Sequence, residues 1–115
     1  MRYLLLLYGD EPAELAMTEE ELTRVIEAHG ALVEQLRAEG RYHAGAGLEP
    51  SSNATVVRRS ADSADQVTDG PYAESKEQIG GLYLIDCADL DEALEVAKRI
   101  PLSPGLAVEV RPAPY

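Results

Sequence analysis

The chain has no tryptophan, no phenylalanine, one cysteine, two histidines and only 10 lysines and arginines among its 115 residues. Each scarcity removes a class of function. Cys87 cannot close an internal disulfide, so the fold must stand on its own core, as suits a reducing, cytoplasmic setting. It follows an apolar run with no adjacent cation and reads as a small buried hydrophobe rather than a reactive thiol. His29 and His43 fall on different predicted elements and no Cys or His pair stands at zinc-like spacing, so no metal is expected. Without Trp or Phe there is little to stack a flavin or a base, although six Tyr remain. Gly45-Ala-Gly47 lacks the rest of a dinucleotide fingerprint and no phosphate loop is present, so no cofactor is expected either. The 21 acidic residues give a formal charge of -11, a surface that repels phosphate backbones and anionic lipids. Nucleic acid and membrane are thus excluded as partners. No apolar stretch approaches the ~20 residues of a membrane span. Leu4 to Leu7 is too short for a secretory signal and runs into Gly9-Asp-Glu-Pro12 without a cleavage site. The sequon Asn53-Ala-Thr55 is read as coincidence.

What remains is an ordinary globular composition, 45% hydrophobic and 27% charged, in a chain that suits one domain over residues 1–115. Residues 2–8 predict a strand apolar on both faces, followed by a polar, proline-containing approach at 11–17. Thr18 and Glu21 form a capping box and Met17 and Leu22 a hydrophobic staple. Leu22, Val25, Ile26, His29, Leu32, Val33 and Leu36 then recur at helical spacing, and Gly40 closes the helix. Residues 42–48 and 54–59 predict two short strands paired as a hairpin across a turn-forming cluster, and 60–68 a polar excursion. Gly80 to Asp86 is a second apolar strand. Asp89 and Glu92 cap a second helix with inner face Leu90, Ala93, Leu94 and Ala97, stopped by Pro101, and Ala107 to Arg111 is the last strand. The order is β-α-β-β-α-β with an antiparallel sheet, an α+β fold of ferredoxin-like type. Two helices cover one sheet face only, yet the first and the Gly80 strands have no polar side, so a second copy of the chain is the expected cover.

The densest polar chemistry beside a buried strand is Asp69-Gly-Pro-Tyr-Ala-Glu-Ser-Lys-Glu-Gln78, followed by Gly80-Gly-Leu-Tyr-Leu-Ile85. This wording, DGPYAESKEQIGGLYLID, resembles the signature of the YCII-related superfamily in its DGPF-domain branch, whose consensus is near DGPFAETKE. The resemblance extends to the opening MRYLLLLYGDE, the central helix, LDEALEVAKRIP and the closing VEVRP. It implies a dimeric α/β-barrel arrangement of ferredoxin-like subunits, with two sheets facing each other across a two-fold axis. The superfamily also carries a helix histidine suggested to pair with an aspartate before a proline near the end of the second helix. Here that second position is Ile100, so the pair in its usual form is absent.

His29 is the one polar interruption of an apolar helix stripe. It is either a satisfied core histidine or a general base in a cleft. Asp69, held by a Gly-Pro turn, is the candidate partner on one reading and an Asx-type turn former on the other. With the resemblance, Lys76 is the candidate to bind an anionic group and a carboxylate to handle a proton, so His29, Asp69 and Lys76 stand as catalytic candidates. Tyr72, Glu74 and Glu77 stand as ligand contacts. Two functions follow: a small cofactor-independent enzyme doing proton-transfer or lyase chemistry on a compact polar ligand, or a binding module meeting a protein partner. The second draws on the resemblance, since DGPF-domain members are often encoded beside extracytoplasmic-function sigma factors.

Overall fold

A computed structural model describes residues 1–115. Strand β1 (Arg2–Asp10) leads into a short helix α1 (Glu11–Leu15), the long helix α2 (Glu19–Ala38) and strand β2 (Tyr42–Gly47). A small hairpin, β3 (Thr55–Arg58) and β4 (Gln66–Asp69), precedes β5 (Glu77–Asp86), helix α3 (Leu90–Ala97) and β6 (Ala107–Pro112). The main sheet runs β2-β5-β1-β6 with every neighbour antiparallel. That is the ferredoxin-like order, with β3 and β4 inserted as a separate two-stranded sheet.

Local chemistry sets the ends of α2. Thr18 Oγ1 accepts from the Glu21 amide at 3.1 Å, and the Glu21 carboxylate accepts from the Thr18 amide at 3.0 Å, closing the capping box. At the other end Gly40 adopts φ 71, where a side chain would be strained, and lets the Arg41 amide reach back to the Leu36 carbonyl at 2.8 Å. Asp10 caps α1 through the Ala13 amide, so the segment read from sequence as an approach is itself a helical turn.

The core lies between the sheet and the helices. Tyr3, Leu5 and Leu7 of β1 meet Tyr83 and Ile85 of β5, Leu32 and Leu36 of α2, and Ala93, Val96 and Ile100 from α3 and its exit. Two expectations are corrected. Val96 and Ile100, rather than Leu90 and Leu94, accompany Ala93 inward with Ala97 at the core's edge, so the buried stripe lies toward the C-terminal end of α3 and its exit. The strand at 42–47 does not pair with the one at 55–58. β2 joins the long apolar β5 instead, leaving β3 to pair with β4 inside the stretch read as a polar excursion.

Candidate functional site

The apolar stripe of α2 divides in two. Its second half, Leu32 and Leu36, is buried in the core, whereas Leu22 and Ile26 in the first half remain 49% and 62% exposed. These residues wall a cavity of about 630 Å³ bounded by α1, the first half of α2, the segment after β2, and the glycine-rich ends of β2 and β5. Its lining is mostly apolar, with Leu15, Met17, Val25, Val33, Leu48 and Leu106 contributing. A concave, mainly apolar space of this size holding a few polar groups is the usual form of a small-molecule site.

The polar groups are few and specific. His29 Nδ1 lies 2.5 Å from the Tyr83 hydroxyl, a contact that joins residues 54 apart in sequence. Burial pushes the His29 imidazole below its ordinary value, which favours the neutral ring. Tyr83 is pushed up to about 12, first by burial and then by the neighbouring Tyr42, so its hydroxyl keeps its proton. Tyr83 is almost fully buried and His29 Nδ1 is its hydroxyl's polar neighbour; which of the two donates depends on the imidazole tautomer. A neutral ring that accepts at Nδ1 carries its own hydrogen on Nε2. With the Tyr83 hydroxyl donating to Nδ1, His29, which lines the cavity, has a donor left on Nε2. Tyr42 packs edge-on to Tyr83, ring centroids 6.4 Å apart, with the Arg37 guanidinium 5.1 Å from the Tyr42 ring centroid.

Two carboxylates from α1 face the same cavity. Glu11 is held by the Ser51 amide at 2.9 Å and hydroxyl at 2.5 Å, which ties α1 to the segment after β2. Glu14 lies across the backbone of Gly9 and Gly80. A Cβ at Gly9 would stand 1.6 Å from Glu14 Oε1, so glycine there is what admits the carboxylate. Burial first, then Glu11 and Asp10, raise the Glu14 carboxyl above the usual range.

Of the residues singled out in the sequence, His29 lines this cavity and Asp69, Tyr72, Glu74, Lys76 and Glu77 do not. Those five are exposed. Their loop folds on its own backbone: Gln78 Nε2 donates to the Ala73 and Ser75 carbonyls at 2.9 and 2.8 Å, and the Glu77 amide to Ser75 Oγ at 3.1 Å. The Lys76 ammonium stands 3.9 Å from Asp10, and its carbonyl takes the Glu11 amide at 2.8 Å. Asp69 pairs across the hairpin with Thr55, and the Tyr72 ring lies 5.5 Å from the Arg58 guanidinium. Sequence reasoning missed Tyr83 and Glu14. One signal was available: Tyr83 and His29 were both polar groups in apolar settings, each in need of a partner.

A family model for the YCII-related domain matches residues 1–113. An uncharacterized protein of Rhizobium meliloti (strain 1021) is 41% identical over 114 residues, covering 97% of this chain and 91% of the relative.

Proposed function

The chain belongs to the YCII-related family, and from that premise we propose that it is a small cofactor-independent enzyme that moves a proton on a molecule held in the α2 cavity. The observation that carries this reading is the 2.5 Å contact between Tyr83 and His29 at the wall of an apolar space; on this reading the hydroxyl donates to Nδ1 and the neutral imidazole keeps Nε2–H as a donor. A neutral donor of this kind suits a carbonyl oxygen that gains negative charge. Glu14, raised toward neutrality, is the proton acceptor. The carboxylate takes a proton from the carbon beside the carbonyl, the C–H electrons move onto the oxygen, and His29 Nε2–H bonds that oxygen. Return of the proton at a different carbon gives isomerisation; loss of a leaving group gives a lyase outcome. Tyr83 positions the imidazole and touches no reacting atom. On this reading Asp69 and Lys76 hold the base of α1 and the hairpin rather than the substrate.

Solvent exchange tests the chemistry without knowledge of the product. Ketones and amides incubated with the protein in heavy water are expected to gain deuterium next to the carbonyl, read by proton NMR. Glu14→Gln abolishes the gain and His29→Gln reduces it. Because the base must be ionised, the rate rises with pH through a midpoint above the ordinary carboxylate value. Exchange that persists in Glu14→Gln, or none above background in the wild type, rejects the mechanism. A second reading, a module that meets a protein partner, draws on the hairpin, where Val57, Val67 and Tyr72 are exposed. It is favoured if substitutions there, and not at His29, remove the protein's effect in cells.

A further inference from the structure

The charges around the cavity restrict what it can hold, and this step rests on the cavity being the site. Its ionisable lining consists of Glu11, Glu14 and Glu49 with His29 and three tyrosines, and no lysine or arginine reaches it. The nearby cations are committed elsewhere: Arg37 lies over Tyr42, Arg41 pairs with Glu39 and Glu92, and Lys76 stands beside Asp10. The start of α2 offers no substitute, because the capping box occupies its end and Glu19, Glu20 and Glu21 fill its first turn. A carboxylate, sulfonate or phosphate entering this space would leave water, meet like charges and find no counterion.

Gly30 adds an independent observation. It sits in the middle of α2, where glycine costs about 1 kcal/mol relative to alanine. Its φ is not positive, and a Cβ built there meets nothing within 4 Å. Neither backbone conformation nor close packing requires glycine. The position is exposed, lines the cavity beside His29 and Val33, and leaves open space where a Cβ would stand.

We propose that the cavity selects uncharged, largely apolar molecules bearing one hydrogen-bond acceptor and rejects anions, with Gly30 keeping the width they need. The acceptor meets His29 Nε2–H, the apolar body lies along Leu22, Ile26 and Val33, and the carboxylates exclude acids of the same shape.

Two fluorescent probes sharing an anilinonaphthalene skeleton separate charge from shape: uncharged N-phenyl-1-naphthylamine and anionic 8-anilinonaphthalene-1-sulfonate. The uncharged probe is expected to bind saturably and at least ~10-fold more tightly, since one unfavourable charge contact at effective dielectric 20 exceeds the 1.4 kcal/mol that a tenfold change represents. Changing Glu11 and Glu14 together to Gln narrows the gap. Gly30→Leu abolishes cavity binding while its unfolding midpoint stays at or above wild type, which separates loss of space from loss of fold and from dye on the open sheet face. Equal affinity for the two probes, absence of saturable binding by the uncharged one, or unaltered binding in Gly30→Leu overturns the proposal. Failure of deuterium exchange with probe selectivity intact removes the chemistry alone, and loss of selectivity removes the ligand class alone.

Discussion

At the scale of the residue, two awkward placements resolve each other. A histidine in an apolar helix stripe and a tyrosine on a buried strand each need a polar partner, and the fold sets them 2.5 Å apart. His29 was legible as an anomaly from its neighbours on the helix. Its partner was not, because the register that brings β5 under α2 is a long-range property and the loop at 69–78 offered a denser supply of polar groups nearby in sequence. Glu14 was hidden for a different reason: it lies on a five-residue helix with no periodic signal, and its position depends on the space left by Gly9. Cys87 is buried as the sequence suggested, and burial, then the Glu92 charge, raises its thiol away from reactivity.

At the scale of the element, what could be read were the features whose physics is local. The Thr18–Glu21 box, the Gly40 stop and the Asp89 cap all use partners within a few residues and appear where the pattern put them. We expect Thr18→Ala to cost about 0.5–2 kcal/mol, since the Glu21 amide loses its acceptor. An unchanged denaturation midpoint and slope would show that the box contributes nothing. Strand pairing was less legible. The alanines and glycines of Tyr42–Gly47 carry little preference for a partner, so the apolar β5 decides the matter. Gln66–Asp69 is too short and polar to announce a strand, and it is held by the Thr55–Arg58 ladder with an Arg59–Asp65 ion pair at 2.7 Å near the turn.

At the scale of the whole molecule, the folded chain is thin and spread. Its extents are 48 × 38 × 18 Å and its radius of gyration is 16.0 Å, against about 13 Å for a compact domain of similar length. Alternation along β1 and β5 turns Leu4, Leu6, Leu82 and Leu84 to the sheet face that no helix covers. The β3–β4 hairpin adds exposed Val57 and Val67, and two strands alone are marginal in water. A homodimer closed through these faces is the expected assembly. Sedimentation at micromolar concentration should give twice 12.5 kDa. A single 12.5 kDa species would mean that the apolar face stays solvated. No helix is long and apolar enough to cross a membrane.

In the proposed site His29 stands neutral in the cavity, accepting from Tyr83 at Nδ1 and presenting Nε2–H. Nitrogen-15 NMR of histidine-labelled protein reads this directly through a pH titration of wild type and Tyr83→Phe. Wild-type His29 is expected to titrate below the ordinary value of about 6.5, in the Nε2–H tautomer. It should move upward in Tyr83→Phe, because a donor to Nδ1 favours the neutral ring. An ordinary titration midpoint that does not respond to Tyr83→Phe, or a neutral ring carrying its hydrogen on Nδ1, would contradict it.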